Sequence, residues 1–278
     1  MRPLGARRPG ASLTRTLLAL VLAMSATPAM ADEARPPRVM SLDQCGDQYA
    51  LALAPEAELA LSPRADDPDS WMRAAAAGHR RVRPTLEAAI AFRPDVVVRY
   101  WGGDARLLAR LEASGVEVVT LADATDFAGV RDNIRVAATA LGHPARGETL
   151  IAGMDADLAR AAPSAAAPKR SALYLTAGGF TAGRGTLIDA IFRAAGMLNA
   201  AAGAGFAPVS VERIALAPPR HFILGFFDQV RGDWRGPGRH PVVRAAARDR
   251  VVARLSAASL TCPAWFAADA AARLGARR

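Results

Sequence analysis

Residues 85–98 read TLEAAIAFRPDVVV, and this stretch contains the local pattern that decides the fold. Thr85 is a favourable N-cap, and apolar residues continue at helical spacing as far as residue 92. Pro94 cannot extend that helix, and the β-branched run at residues 96–98 predicts a buried strand. A helix that leads directly into a buried strand is typical of a parallel sheet with helices on its faces.

The same alternation continues on both sides of this stretch. We predict strands at residues 38–42, 57–62, 116–121 and 171–175, and helices at residues 48–54 and 105–114. The polar residues 43–47 are predicted as a loop, and Gly115 is predicted to end the helix before it. The predicted fold class is therefore α/β with mainly parallel sheets.

A second copy of the opening pattern lies later in the chain. Ser210 and Glu212 begin a predicted helix, and Pro219 precedes the buried run at residues 222–224. This repetition predicts two similar α/β lobes. Residues 127–160 between them are almost wholly helix-forming, interrupted near Gly142-His143-Pro144, and we interpret them as a single long connecting helix. The predicted organisation is a lobe at residues 32–126, a helical connector at 127–167 and a lobe at 168–278.

The first 31 residues have the layout of a secretory signal peptide. They contain four arginines and no acid, an apolar run at residues 16–24, and Ala29-Met30-Ala31 at the end. Cleavage after Ala31 predicts a periplasmic protein. The net charge of +9 includes these arginines, and the later ones are scattered among acids, which argues against a nucleic-acid interface. We expect a monomer with no nucleic-acid partner.

The chain contains two cysteines, Cys45 and Cys262. In an oxidising compartment two cysteines can form one intramolecular bridge, which here would join the two ends of the chain. The alternative is two buried free thiols.

The sequence lacks the motifs for metal binding, for a serine nucleophile and for phosphate binding. His79, His143, His221 and His240 are far apart in the sequence and form no metal-binding motif, and no Gly-x-Ser-x-Gly elbow is present. The turn at residues 183–186 lacks the lysine of a phosphate-binding loop. We therefore predict neither catalysis nor a bound metal or cofactor.

Aromatic and polar residues follow the predicted strands, at the edge where α/β sheets bind ligands. They are Asp43, Gln44, Tyr100, Trp101, Phe180, Arg184, Phe226 and Phe227, with Asp123 at an equivalent strand end. Such a set predicts a cleft between the lobes that grips a large, flat, partly apolar ligand. The alternative is that each aromatic ring packs within its own lobe.

Glu87 and Glu212 occupy the first turn of the repeated helix in each predicted lobe. A carboxylate at this position interacts favourably with the helix dipole and needs no partner. Their equivalent placement also suggests a paired docking role.

The sequence resembles the periplasmic binding proteins of ABC importers for cobalamin and ferric siderophores. The resemblance rests on residues 85–98, on Trp101-Gly102-Gly103-Asp104-Ala105, on residues 114–119, and on the second-lobe segments 181–187, 194–199 and 209–212. It covers the chain from about residue 38 to the C-terminus. Arg220-His221 departs from the family's usual Asp followed by an apolar residue, which leaves the local geometry there in doubt.

The resemblance implies a function as well as a fold. The family has two lobes joined by one long helix, binds its ligand between them, and docks one glutamate per lobe onto permease arginines, which assigns that role to Glu87 and Glu212. It implies capture of a metal chelate, a ferric siderophore or cobalamin, for an inner-membrane ABC permease. The position of the two cysteines matches a subset of the family. Alternatives are a haem receptor of an ABC importer, an exported enzyme on the same scaffold, and a purely structural protein.

Overall fold

The computed structural model describes residues 35–164, 169–229, 232 and 235–276. The predicted signal peptide at residues 1–31 and its cleavage site lie outside the described residues. Every element below belongs to the single unit Pro36–Arg278.

The first lobe contains a five-stranded sheet whose strands all run parallel. Its strands are β1 (Arg38–Ser41), β2 (Glu58–Leu61), β3 (Arg80–Arg81), β4 (Val96–Arg99) and β5 (Glu117–Thr120), in the order β3-β2-β1-β4-β5. Its helices are α1 (Gln44–Leu53), α2 (Leu86–Phe92) and α3 (Ala105–Ala113). The Thr85 hydroxyl accepts a hydrogen bond from the Ala88 amide and caps α2, and Gly115 has φ +79° after α3, as predicted.

Two helices connect the lobes, α4 (Phe127–Ala140) and α5 (Pro144–Ala161), so the prediction of a single long connecting helix is wrong. Gly142 has φ +78° and turns the chain, and Pro144 begins the next helix where its missing amide hydrogen costs nothing. The helices then pack side by side. A Cβ on Gly147 would lie 2.6 Å from the Cβ of Ala138, so glycine permits the close approach.

The second lobe contains a four-stranded parallel sheet and a separate two-stranded antiparallel sheet. Its strands are β6 (Ser171–Thr176), β7 (Phe180–Ala182), β8 (Leu198–Asn199), β9 (Phe206–Pro208), β10 (Phe222–Gly225) and β11 (Val251–Leu255). The sheet order is β11-β10-β6-β8, and β7 pairs with β9. Its helices are α6 (Leu187–Ala194), α7 (Val211–Leu216), α8 (Pro241–Ala247), α9 (Ala257–Leu260) and α10 (Ala267–Gly275). Two α/β lobes with mainly parallel sheets are confirmed.

Residues 261–266, which we call the C-terminal clasp, attach the end of the second lobe to the first. Cys262 forms a disulfide with Cys45 of α1 with Cα atoms 5.4 Å apart, which confirms the predicted bridge. The Tyr49 hydroxyl donates to the Pro263 carbonyl at 2.8 Å, and Trp71 stacks on Phe266 with ring centroids 5.2 Å apart. A continuous buried core therefore includes residues of both lobes.

Candidate functional site

A cavity of about 450 Å³ lies between the lobes at the ends of their strands. Tyr100 follows β4 and Asp123 follows β5, whereas Thr176 ends β6 and Phe226 follows β10. Parallel strands bring their carboxyl ends to one edge of a sheet, and both sheets present that edge to the same cavity. Its further lining includes Thr125, Tyr174, Thr186, Phe206 and Leu260.

Tyr100 and Asp123 form the polar pair of the first lobe. The Tyr100 hydroxyl donates a hydrogen bond to Asp123 Oδ1 at 2.9 Å. Partial burial, the hydrogen bond to Asp123 and the carboxylate charges of Asp123 and Asp43 together raise the pKa of Tyr100 to about 12. The phenol therefore stays protonated at neutral pH.

Tyr174 and Phe226 form the floor of the cavity on the second lobe. Tyr174 is fully buried on β6, and its hydroxyl has no hydrogen-bond partner among the described residues. A Cβ on Gly225 would lie 2.4 Å from that hydroxyl, so the adjacent glycine leaves room for it. Phe226 has φ +60°, a backbone conformation that is unfavourable for a bulky residue and typical of functional sites.

Asp43 and Gln44, predicted as ligand contacts, are buried and form hydrogen bonds within the first lobe. Asp43 is buried and caps α1: its Oδ1 accepts from two amides of that helix, and its Oδ2 accepts from the amides of residues 100–102 at 2.7–2.9 Å. Gln44 is also buried, and its side-chain amide donates to Asp69 and Ser70. Asp43 thereby fixes the turn that carries Tyr100 and Trp101, and neither Asp43 nor Gln44 belongs to the lining of the cavity.

The structure separates the neighbouring rings of Phe226 and Phe227. Phe226 lines the cavity between the lobes, whereas Phe227 lines a second cavity of about 570 Å³ beside α8. The Arg239 guanidinium lies 5.1 Å from the centroid of the Phe227 ring. Phe227, predicted with Phe226 to face the ligand cleft, therefore lies outside the lining of this cavity, and the two rings separate at the positive φ of Phe226.

Trp101, Phe180 and Arg184 are exposed residues that lie near the cavity but outside its lining. The side chains of Trp101 and Phe180 are 58% and 48% exposed, and each follows a strand that ends at the cavity. Arg184 is exposed and directly precedes Gly185, which does line the cavity. A ligand contact by these three residues stays a prediction.

Sequence reasoning missed Tyr174 and Phe206 as lining residues. Tyr174 lies within a strand predicted as buried, and its signal was a hydroxyl in an otherwise apolar run. Phe206 is 68% exposed at the start of β9, and the glycines before it were the available signal of an exposed turn.

Glu87 and Glu212 are exposed in the first turns of α2 and α7. Backbone hydrogen bonds, together with the hydroxyls of Thr85 and Ser210, hold the pKa of each carboxyl below its usual value. Each helix leads into a parallel strand, so its first turn lies towards the same strand-end edge as the cavity. This placement agrees with either role considered from the sequence, the helix-dipole contact or docking.

Among the described residues, no group of three or more His, Cys, Asp or Glu side chains is arranged to hold a metal ion. Within the same residues, no helix is long and apolar enough to cross a membrane.

Two lobes that share a cavity at their strand ends define a ligand-binding protein. A family model described as periplasmic binding protein matches residues 51–225, and because this is more than half of the chain, the chain belongs to the periplasmic binding protein family. This confirms the family resemblance seen in the sequence. No curated protein sequence matches the chain.

Solved structures of binding proteins are similar over most of the chain. The periplasmic heme-binding protein BhuT, in complex with two hemes, is 27% identical, with a TM-score of 0.63 over 86% of this chain and 97% of its own. A periplasmic heme-binding protein from Pseudomonas aeruginosa is 25% identical, with a TM-score of 0.54 over 76% of each chain. The vitamin B12 binding protein BtuF of Vibrio cholerae is 20% identical, with a TM-score of 0.61 over 87% of this chain and 96% of its own.

Proposed function

We propose that this protein is the periplasmic solute-binding component of an ABC importer, and that it captures a metal chelate, a ferric siderophore or cobalamin, for delivery to an inner-membrane permease. The observation that carries this proposal is the cavity between the lobes, with its aromatic lining from Tyr100, Phe206 and Phe226. We propose no catalytic step.

The size and lining of the cavity support a bulky, partly apolar ligand. Small-molecule sites usually measure about 300–1,000 Å³ and are lined mainly by apolar and aromatic groups. At about 450 Å³ the cavity takes part of a chelate, and the exposed rings of Trp101 and Phe180 are available to cover the remainder. Trp101 stacking on the ligand is part of this proposal.

Haem is the second candidate ligand. The BhuT likeness at 27% identity favours it, and Tyr100 and Tyr174 at the cavity are the residues that would have to contact haem iron.

In this proposal Glu87 and Glu212 dock the protein onto arginines of the permease. With Glu87→Arg or Glu212→Arg, we expect chelate affinity near that of the parent and reduced uptake in proteoliposomes that contain the cognate importer, because like charges would then face each other. The double variant is expected to be worse than either single change. Glu112→Arg, an equal charge reversal on the exposed face of α3, is the matched control. Parental uptake by the double variant would contradict the docking role.

Direct titration of purified mature protein tests the ligand class. Cyanocobalamin, ferrioxamine B and haemin are added separately, and binding is followed by calorimetry and visible absorbance. We expect saturable binding of at least one chelate and a raised Tm, because a ligand at about 100 times its Kd stabilises the folded state by about 2.7 kcal/mol. Failure of all three to bind would overturn the proposed function.

A further inference from the structure

The cavity between the lobes has an unusual charge for this protein. The chain contains 35 lysines and arginines, yet among the described residues that line the cavity Asp123 is the one charged side chain. The remaining lining is aromatic, hydroxyl-bearing or apolar. Two arginines lie near the cavity but outside its lining. The Arg99 guanidinium donates to the Gly102 carbonyl and the Thr120 hydroxyl, and Arg184, predicted as a ligand contact, is exposed next to Gly185.

Asp123 lies on a loop that is held in place. The side-chain amide of Asn133 in α4 accepts a hydrogen bond from the Ala122 amide at 2.8 Å and donates one to the Ala122 carbonyl at 2.9 Å. The Asp123 carboxylate is exposed, and the Tyr100 hydroxyl donates to its Oδ1. Oδ2 stays available to accept a hydrogen bond, so the cavity holds a pre-positioned acceptor.

A second carboxylate extends this negative field. Asp43 lies directly behind the turn that carries Tyr100, where it accepts the amides of residues 100–102. The charges of Asp43 and Asp123 both contribute to the raised pKa of Tyr100. A ligand that brings anionic groups to this wall meets like charge, whereas a cation or an N–H donor meets a complementary acceptor.

We propose, on the basis of the function proposed above, that the cavity selects chelates that are uncharged or cationic and present N–H donors to Asp123, and that it discriminates against chelates that carry carboxylates or catecholates. The ligand class is thus an amide-bearing or ammonium-bearing metal chelate. Haem, with two propionates, belongs to the disfavoured class.

Four probes of different charge test this selection at one ionic strength. Ferrioxamine B is cationic, cyanocobalamin is uncharged and rich in amides, haemin carries two propionates, and ferric enterobactin carries three negative charges. We expect ferrioxamine B or cyanocobalamin to bind at least tenfold more tightly than either anionic probe.

Three variants assign the selection to Asp123. Asp123→Asn is expected to weaken binding of the preferred probe about tenfold or more, as loss of a charged hydrogen-bond partner does. Asp123→Arg is expected to reverse the order and favour haemin. Asp132→Asn, the same change on the exposed face of α4, is the matched control and is expected to leave all four affinities unchanged. Because Asp123 is exposed, these variants are expected to fold, which circular dichroism checks.

The outcomes separate this inference from the function on which it rests. Preferred binding of haemin or ferric enterobactin, or an order that Asp123→Arg leaves unchanged, would overturn the selection by charge while leaving a chelate-binding protein. Binding of none of the four probes would overturn the proposed function and this inference together.

Discussion

The two lobes begin from the same local pattern and present different surfaces to the cavity. The first lobe is a regular parallel sheet, and it contributes a polar wall formed by Tyr100, Asp123 and Thr125. The second lobe departs from that regularity: it contains the additional antiparallel pair of β7 and β9, and the register of β10 and β11 shifts between Phe222 and Ile223. It supplies most of the lining. The repeated pattern thus builds the scaffold, and of the two inserted strands β7 and β9 only β9 adds a lining residue, Phe206.

The lobes also differ in how their ends are held. The start of the first lobe is fixed in its own sheet, whereas the end of the second lobe is attached to the first through the C-terminal clasp. A disulfide, a hydrogen bond and a ring stack therefore bridge the lobes in addition to α4 and α5.

Removal of the disulfide is expected to have the largest effect on stability. Cys45 and Cys262 are separated by 217 residues, and the chain-entropy model gives a contribution of about 5 kcal/mol for a loop of that length. Cys45→Ser combined with Cys262→Ser should lower the free energy of unfolding, measured by urea denaturation, by a corresponding amount and lower the urea midpoint with it. Tyr49→Phe removes a single hydrogen bond of the same clasp and is expected to cost about 1 kcal/mol. Equal midpoints for the serine variant and the parent would contradict a stabilising clasp.

The next largest effect is a pH dependence located in the first lobe. Asp47 is buried in α1, where it accepts hydrogen bonds from the amide and hydroxyl of Ser62, and burial raises its pKa to about 6. A raised acid pKa means that the folded state favours the neutral carboxyl. The stability it contributes is therefore complete below about pH 4 and is lost as the pH rises through 6, by about 3 kcal/mol.

Urea unfolding between pH 4 and pH 7 measures this effect. We expect the free energy of unfolding of the parent to fall with rising pH relative to that of Asp47→Asn, whose side chain does not titrate. Asp132→Asn, on the exposed face of α4, is expected to follow the parent. Parallel profiles for the parent and Asp47→Asn would contradict the raised pKa.

A smaller effect, on affinity alone, compares one exposed ring from each lobe. Trp101 and Phe206 are 58% and 68% exposed, so replacing either by alanine should leave the free energy of unfolding nearly unchanged. If both rings cover the chelate, each replacement should weaken binding about tenfold or more, measured by titration with a chelate that binds the parent. Ile90→Ala, at an apolar residue of similar exposure on α2, is the control. Parental affinity in Trp101→Ala would exclude a ligand contact by Trp101.

The scaffold could be predicted where local chemistry decides the structure. Thr85, Pro94 and the valines of β4 act through capping, a missing amide and β-branching, all of which operate over a few residues. The helical connector shows the limit of this reasoning. Gly142 and Pro144 are individually signals of a helix end and a helix start. Their combination predicts only an interruption of one long helix, whereas in the structure they reverse the chain between two helices.

The site was less predictable because a polar residue after a strand has two roles that look alike in sequence. Asp43 and Asp123 both follow strands. Asp43 is buried and accepts hydrogen bonds from five backbone amides, whereas Asp123 is exposed at the cavity. The difference arises from tertiary contacts that the local pattern does not contain. Phe226 and Phe227 present the same ambiguity, because the positive φ of Phe226 decides which ring reaches the cavity.

Those two neighbouring rings provide the most direct test of the claim that the ligand binds between the lobes. Phe226→Ala and Phe227→Ala delete the same side chain one residue apart, and the parent and both variants are titrated calorimetrically with a chelate that binds the parent. We predict at least a tenfold loss of affinity for Phe226→Ala and near-parental affinity for Phe227→Ala. Equal affinities in the two variants, or a loss confined to Phe227→Ala, would contradict binding in this cavity.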